Sequence, residues 1–338
     1  MKEEHFIIIG MGPSGTKAAI TLRKQAPEAR ITILSKDAER AFTPHMLPDF
    51  IAGKILEKDL YPYDPSTWDD LDIHIRRCQR VTDVSPGNGH LLLDHREVLR
   101  FTGLILAVGG RPQIPEPYLP FQDLMSTLKT VKDAKQWIEK LEGVDSVLVI
   151  GGDLTSLAVA KALLHLGKKV FFLINEDAFW PLRYDMDLMR KVSERLSQGG
   201  VEVIPSGKLG GLFRNANGKT QVRIDDRTLQ VGMVGTFFGL APDIRFLARS
   251  GFSMDRGILV DEYLNTGFEG IYATGDCAQV YHPGLRDYWV SIGYENALNL
   301  GRIAALNLAG RRVQAKVSGE SIFKVRGVNV NTSWWVEF

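Results

Sequence analysis

The amino-acid sequence predicts an α/β protein with two domains, each built on a parallel β-sheet. Two stretches, residues 6–34 and 146–174, support this prediction. Each has a buried apolar strand, a glycine turn, a helix and a second apolar strand. A unit that occurs twice is an internal repeat and indicates two related domains. The length of 338 residues also fits two domains better than one.

Composition excludes several classes of function. Hydrophobic residues make up 44% of the chain and charged residues 24%, which is the balance of an ordinary globular protein. The net charge of +1, without long runs of one sign, gives no electrostatic basis for binding nucleic acid or an anionic membrane. No apolar stretch approaches the roughly 18 residues that a membrane span needs.

Cysteine and histidine usage narrows the chemistry. The two cysteines, Cys78 and Cys277, form no CxxC pair, which argues against cysteine-rich zinc sites and iron–sulfur clusters. The seven histidines show no metal-binding spacing, so no metal site is predicted. Redox chemistry would therefore need an organic cofactor. Two separated thiols favour a reducing compartment, so we expect a cytoplasmic protein.

The first repeat carries Gly10-x-Gly12-x-x-Gly15 between its strand and its helix. In a β-α-β unit of about 30 residues, this spacing predicts dinucleotide binding. Gly10 permits a tight turn, Gly12 lets the backbone approach a pyrophosphate, and Gly15 lets helix and strand pack closely. The N-terminus of the helix then faces the phosphates.

Four motifs follow one another along the chain: Ile9-Gly-Met-Gly-Pro-Ser-Gly15, Leu106-Ala-Val-Gly-Gly-Arg-Pro112, Val149-Ile-Gly-Gly152 and Tyr272-Ala-Thr-Gly-Asp276. In this order they resemble the FAD-dependent pyridine nucleotide–disulfide oxidoreductase family. The most similar group contains ferredoxin and rubredoxin reductases, NADH oxidases and coenzyme A disulfide reductases. The resemblance implies two Rossmann-like FAD/NAD(P)-binding domains, the second inserted in the first.

The resemblance also implies domain boundaries. It places an FAD-binding domain at residues 1–112 and 243–312, and an NAD(P)-binding-like domain at residues 113–242. Residues 313–338 remain as a C-terminal strand segment with alternating polarity and a Trp334-Trp335 pair. Members of the group continue into a dimer-forming interface domain, which this sequence is expected to lack. The segment would either pack as an edge strand on its own domain or dock another subunit.

Family members suggest which residues would hold FAD. Asp276 would accept hydrogen bonds from the ribityl chain or lie beside the pyrophosphate, with helix capping as the alternative. Val81 would lie by the adenine, and Tyr294 and Asn296 would begin the helix that faces the isoalloxazine ring. The full implied set is Gly10, Gly12, Pro13, Ser14, Gly15, Ser35, Lys36, Val81, Ala107, Gly109, Asp276, Tyr294 and Asn296.

Two positions in the first domain depart from the family pattern. Ser35, followed by Lys36, stands where an acid usually holds the adenosine ribose, and serine offers a weaker hydrogen bond. His45 stands where disulfide-reducing members carry a redox-active cysteine. Histidine cannot replace a thiolate nucleophile, so disulfide chemistry is not expected. His45 is a candidate proton donor near the flavin, with a structural role as the alternative.

The second glycine motif is altered more strongly. Gly151 is kept, but Asp153 and Ser156 replace the next two glycines, and Ile174 stands where an acid would hold a ribose. A carboxylate about 4 Å from a pyrophosphate charge would repel it by about 4 kcal/mol at an effective dielectric of about 20. Glu176 could still reach a ribose. We therefore expect NAD(P)H use to be weakened or lost.

Together these features predict an FAD-dependent oxidoreductase that transfers electrons through a non-covalent flavin to a protein or small-molecule acceptor. One alternative is an NAD(P)H-dependent reductase of the ferredoxin/rubredoxin-reductase kind. A second is a flavin subunit of a larger oxidoreductase complex, in which docking of a redox partner protein replaces the nicotinamide. A third is a non-catalytic subunit. The colour of bound flavin would separate the third from the others.

Overall fold

The structure, a computed structural model, describes residues 4–174, 186–205, 207–291, 293–316, 322–325 and 328–331. The chain forms two compact units. The first comprises residues 1–43, 61–110 and 242–338, and the second comprises residues 44–60 and 111–241. Each unit contains a parallel sheet with buried apolar strands, which confirms the predicted α/β class.

The helices of the described residues are α1 (Pro13–Gln25), α2 (Leu47–Ile51), α3 (Thr67–Asp70), α4 (Val131–Leu141), α5 (Leu154–His165), α6 (Met186–Gln198) and α7 (Tyr294–Leu308). Within that part of the chain, no helix combines the length and the apolar character needed to cross a membrane. The strands are β1 (His5–Ile9), β2 (Arg30–Leu34), β3 (Ile73–Arg76), β4 (Val81–Ser85), β5 (His90–Leu93), β6 (Val98–Arg100), β7 (Gly103–Leu106), β8 (Gly110–Pro112), β9 (Ser146–Gly151), β10 (Lys169–Ile174), β11 (Glu202–Ile204), β12 (Leu209–Arg214), β13 (Thr220–Ile224), β14 (Arg227–Val231), β15 (Met233–Thr236), β16 (Leu240–Pro242), β17 (Ile258–Val260), β18 (Ile271–Ala273), β19 (Ala278–His282), β20 (Asp287–Ser291), β21 (Ile322–Val325) and β22 (Val328–Asn331).

The main sheet of the first unit has the strand order β18-β7-β1-β2-β3, and its neighbouring strands are parallel. Its central strands are apolar on both faces and almost wholly buried, as strands of parallel sheets usually are. α1 and α7 pack side by side against it. The chain runs from β1 towards β2 and β3, whereas β7 lies on the other side of β1. The carboxyl ends of β1 and β7 therefore flank a topological switch point, where α/β proteins bind ligands.

Two smaller sheets belong to the first unit, β4-β5-β6 and β17-β19-β20-β22-β21. β22 pairs in parallel with β20, and β21 pairs antiparallel with β22 at the edge. The two described strands of the C-terminal segment therefore join a sheet of the first unit. Trp334 and Trp335 lie outside the described residues.

The parallel sheet of the second unit has the order β11-β10-β9-β15. β9 occupies the position that β1 has in the first unit, so the carboxyl ends of β9 and β15 flank a second switch point. The antiparallel sheet β12-β13-β14 shares a hydrophobic core with this sheet. β8 and β16 form a separate two-stranded ribbon.

One domain boundary differs from the boundary expected from the sequence. Residues 44–60, expected within the FAD-binding domain, belong to the second unit because α2 packs against α4 and α5. Leu47 and Ile51 of α2 are buried. Residues 44–60 are too few to show a domain signature of their own in the sequence. Only the packing of α2 assigns them to the second unit.

Candidate functional site

The turn between β1 and α1 is tight at two glycines. Gly10 has a φ of +113°, and a Cβ there would lie 2.1 Å from the backbone oxygen of Ala107. A Cβ on Gly15 would lie 2.0 Å from the backbone oxygen of Gly10. No side chain fits at either distance, so this backbone path requires glycine at both positions. Strand and helix approach as closely as a dinucleotide-type turn demands.

Gly12 leaves the start of α1 open. It is the N-cap residue, and a Cβ placed on it would meet no atom within 4 Å. No side chain caps the helix, and Pro13 stands in its first turn. The uncapped amides at this helix N-terminus offer the space and the donors that a phosphate group needs.

Three chain segments meet at Ser14. Its hydroxyl shares a 2.9 Å hydrogen bond with the hydroxyl of Thr274. A Cβ on Gly275 would lie 3.0 Å from the Ser14 Cβ, and a Cβ on Gly301 of α7 would lie 2.2 Å from the Ser14 backbone oxygen. The Thr-Gly-Asp turn and α7 are therefore packed directly against the first turn of α1. This packing brings the partly buried Asp276 to the carboxyl edge of the sheet.

Tyr63, which the sequence did not single out, lies near the starts of two helices. Its ring packs edge-on against Trp68, with 5.0 Å between ring centres. Burial raises the pKa of Tyr63, a side-chain hydrogen bond with Thr16 of α1 lowers it, and Tyr294 at the start of α7 raises it again. The Tyr63 hydroxyl is therefore close to the first turns of both helices. Its aromatic residue type within a proline-rich loop was the only sequence signal.

The start of α7 also lacks a side-chain cap. Gly293 is its N-cap residue, with a φ of +104°, and Tyr294 and Asn296 lie in its first turn. Both side chains are partly buried. These are the two positions expected to begin the helix that faces the isoalloxazine ring.

The end of β2 holds an ion pair in place of the family's acid. The Ser35 hydroxyl is buried and bonds locally, donating to the backbone oxygen of Asp37 at 3.2 Å. Lys36 pairs with the carboxylate of Asp243. Asp243 thus supplies a carboxylate at the edge where β2 itself provides none. The signal that could have identified it is the Gly-Leu-Ala-Pro-Asp phrase that ends at this residue.

The other expected FAD positions are also at the carboxyl edge. Ala107 follows β7, and its amide donates to the Ile9 oxygen at 2.8 Å. Gly109 has a φ of +62°, with open space where a side chain would stand. Val81 is buried at the start of β4, two residues after Gln79, whose amide bonds the backbone oxygen at the end of β2.

The turn between β9 and α5 is closed by its own side chains. Asp153 is the N-cap residue of α5, and its carboxylate accepts a 2.7 Å hydrogen bond from the Ser156 amide. The Ser156 hydroxyl donates to the Asp153 backbone oxygen at 2.6 Å and accepts from the Gly152 amide at 3.1 Å. Burial raises the pKa of the Asp153 carboxyl to about 6, although these hydrogen bonds lower it.

Side chains also crowd the first glycine of this turn. A Cβ on Gly151 would lie 2.8 Å from the Ser156 Cβ and 2.9 Å from the Phe237 Cβ. Ile174 is buried at the end of β10, opposite Gly151 in the register. Glu176 lies outside the described residues. As its side chains stand, the Gly152 and Ser156 amides of this turn are bonded within the protein.

His45 and the cysteines occupy different settings. His45 is exposed in the short helical turn Pro44–Met46, which belongs to the second unit. Cys78 and Cys277 are both free. Burial raises the pKa of Cys277 to about 11, so its thiol is protonated at neutral pH and is a poor nucleophile.

Comparisons with known proteins match this chain to several reductases. The chain is similar to the "Nitric oxide reductase FlRd-NAD(+) reductase" of Citrobacter koseri, with 26% identity over 314 residues, covering 92% of this chain and 82% of the relative. Among solved structures, putidaredoxin reductase in its covalent complex with putidaredoxin matches with a TM-score of 0.84 and 22% identity, covering 95% of this chain and 78% of that chain. An NAD-dependent persulfide reductase from A. fulgidus matches with a TM-score of 0.85 and 24% identity, covering 95% and 62% of the two chains.

The two structural matches establish the fold, which is the one that the motifs implied. A sequence model of the family "Pyridine nucleotide-disulphide oxidoreductase" matches residues 4–297, which is most of the chain. The chain therefore belongs to the pyridine nucleotide-disulphide oxidoreductase family and is an oxidoreductase.

Proposed function

We propose that this oxidoreductase binds FAD non-covalently in its first unit and passes electrons to a protein acceptor. The observation that carries the proposal is the open start of α1. Gly12 leaves uncapped amides facing open space at the switch point of the first sheet. The residues of this turn fit a dinucleotide pyrophosphate.

The chain's own residues would bind and orient the cofactor. The amides at the start of α1 would meet the pyrophosphate, and Asp276 would accept hydrogen bonds from cofactor hydroxyl groups. The Lys36–Asp243 pair would border the adenosine end, where β2 carries no acid. FAD, when bound, supplies the redox chemistry, which the two free cysteines of the chain do not.

The class of the electron acceptor is inferred from the relatives. The C. koseri protein is named as a reductase of FlRd, and putidaredoxin reductase was crystallised with putidaredoxin. By analogy, the acceptor here is a small redox protein. His45 stays a candidate proton donor, and the absence of a thiol at its position argues against disulfide reduction.

The two leading versions of this function differ in the electron donor: in one NAD(P)H use is weakened, and in the other NAD(P)H is the donor. The closed second turn supports weakened NAD(P)H use, because its amides are already bonded within the protein. The alternative is an NAD(P)H-dependent reductase of the ferredoxin/rubredoxin-reductase kind. It is favoured by the names of the C. koseri relative and the persulfide reductase, both of which include NAD.

Anaerobic reduction of the purified protein tests the proposal. The protein should be yellow, should release FAD on acid precipitation, and should be bleached readily by dithionite. NADH and NADPH, mixed separately, should bleach it slowly and with weak saturation. Rapid, saturable bleaching at micromolar NADH would establish the alternative. A colourless protein that takes up no added FAD would refute both versions and leave the non-catalytic subunit.

A further inference from the structure

We propose that the Asp153 carboxylate is a built-in occupant of the second turn and holds the place of a dinucleotide pyrophosphate. Asp153, supported by Ser156, is then the specificity-determining residue that keeps a nucleotide-type fold from binding its nucleotide. This inference rests on the proposed function, because it explains why NAD(P)H would be a poor electron donor to the proposed flavoprotein.

The two turns have equivalent places in their sheets. In the first unit, the Ala107 amide donates to the Ile9 oxygen at 2.8 Å, and in the second, the Phe237 amide donates to the Ile150 oxygen at 2.7 Å. The N-cap residue of the helix that follows is Gly12 in α1 and Asp153 in α5. The Asp153 side chain therefore starts from the position where the first turn is open.

Two backbone amides that could bind a phosphate are already bonded within the turn, one of them to the Asp153 carboxylate. Its Oδ1 atom accepts from the Ser156 amide at 2.7 Å, and the Ser156 hydroxyl takes the Gly152 amide at 3.1 Å. The same hydroxyl donates to the Asp153 backbone oxygen at 2.6 Å, which fixes the Ser156 side chain in this arrangement. Helix N-termini bind anions through these amides, and here the anion belongs to the chain.

A dinucleotide would have to displace this internal anion before binding. The displaced carboxylate would remain on the same short turn, so attraction by the helix end would be replaced by repulsion between two negative groups. The crowding of Gly151 by the Cβ atoms of Ser156 and Phe237 narrows the approach further. Occupancy of the amides, repulsion by the displaced carboxylate and crowding at Gly151 would thus all weaken dinucleotide binding.

The first test opens the second turn in the FAD-loaded protein. Combining Asp153→Ala with Ser156→Gly removes the carboxylate that takes the Ser156 amide and the hydroxyl that takes the Gly152 amide. Calorimetric titration with NADH and with NADPH should show binding at least about tenfold tighter than in the wild type, which is the scale of one lost competing cap. Unchanged FAD content and circular dichroism verify folding, and Asp153→Ala alone serves if the double variant does not fold. A folded variant with no gain in affinity would overturn the proposal.

Asp153→Asn is the matched control for charge. Asparagine keeps a capping oxygen but carries no negative charge. If occupancy closes the turn, this variant should still bind NADH at least about threefold more weakly than the double variant does. If it binds as tightly as the double variant, repulsion alone explains the weak binding and the proposed occupancy is wrong.

The mirror experiment places the same carboxylate in the first turn. A Cβ at position 12 meets open space, so Gly12→Asp should fold. We expect it to retain less than about a tenth of the wild-type FAD, because aspartate would cap α1 as Asp153 caps α5. Full FAD occupancy in Gly12→Asp would contradict the proposal.

Failure of this inference is distinguishable from failure of the proposed function. A yellow wild-type protein that binds NADH as tightly as the opened variant refutes only the inference. A wild-type protein that neither contains nor takes up FAD refutes the proposed function, whatever the second turn does.

Discussion

The two β-α turns have the same place in the same kind of sheet but differ in readiness for an anion. The turn before α1 has glycine at the N-cap and leaves the helix amides uncapped. The turn before α5 has Asp153 there and bonds its amides internally through Asp153 and Ser156. Two turns in the same kind of fold therefore differ in whether side chains of the protein occupy the amides at the helix start.

The difference also has an energetic side. Aspartate at the N-cap stabilises a helix more than glycine does by a few tenths of a kcal/mol, which α5 gains and α1 lacks. The first turn thus gives up local stability and keeps its donors available for a ligand. This trade is common at functional sites. Four substitutions, from the largest expected effect to the smallest, test how far the contrast holds.

Gly15→Ser should have the largest effect, because it copies Ser156 into a turn that has no room for it. Its Cβ would lie 2.0 Å from the Gly10 backbone oxygen. We expect a loss of at least about 3 kcal/mol in the free energy of unfolding, together with loss of bound flavin. Chemical denaturation and the visible absorbance measure both. Ser156→Gly is the matched control and should lower stability by about 1–2 kcal/mol, because it creates no clash but removes the acceptor of the Gly152 amide. Normal stability of Gly15→Ser would show that the two turns are interchangeable.

Asp276→Ala should weaken FAD binding by at least about tenfold, because a charged acceptor of hydrogen bonds is worth roughly 1.5–3 kcal/mol. Fluorescence titration of the flavin-free protein with FAD measures the affinity. Asp276→Asn keeps one acceptor oxygen and should lie between the variant and the wild type. If Asp276→Ala retains FAD at wild-type affinity, Asp276 does not contact the cofactor.

Asp153 should make the stability of the protein fall as pH rises, whereas Gly12, at the equivalent position of the first turn, carries no group that titrates. Burial raises its pKa in the folded protein from 3.8 to about 6. Between these values the folded state binds more protons than the unfolded state, so stability falls as pH rises. Relative to Asp153→Asn, the wild type should lose on the order of 1 kcal/mol between about pH 4 and pH 7. Urea denaturation of both proteins across this range measures it, and parallel pH profiles would contradict the assignment.

Asp243→Asn should have the smallest effect. It weakens the partly exposed ion pair with Lys36, and pairs of this kind contribute about 1 kcal/mol or less. We expect FAD affinity to fall by about two- to fivefold, with the NADH titration unchanged. Lys36→Met should give a similar change, because it removes the other partner. A null effect of both variants on FAD affinity would place the pair outside the adenosine end.

The sequence predicted the repeated units well because their signals are local. The two strand–turn–helix–strand stretches expected at residues 6–34 and 146–174 form β1-α1-β2 and β9-α5-β10. Apolar runs that fill both faces of a strand, and glycines between strand and helix, fix these elements without reference to the rest of the chain. The altered motif at Asp153 and Ser156 was also visible in the sequence.

Other features depend on contacts between distant residues. Lys36 and Asp243 are far apart in the chain, as are Ser14 and Thr274, and no local pattern predicts either pair. The assignment of residues 44–60 to the second unit likewise follows from the packing of α2. These contacts arise because parallel strands bring their carboxyl ends to one edge, whatever their separation in sequence.

By itself, the sequence determined that this protein has two dinucleotide-type units and that the second has Asp153 and Ser156 where the motif expects its second and third glycines. It also indicated that Asp153 would oppose a pyrophosphate, through repulsion between like charges. Only the tertiary structure decided how Asp153 is bonded: its carboxylate caps α5, and the Ser156 hydroxyl takes the neighbouring Gly152 amide. The physical reason is that charge can be read from residue type, whereas occupancy of a hydrogen-bond donor depends on angles and distances that exist only once the turn has folded.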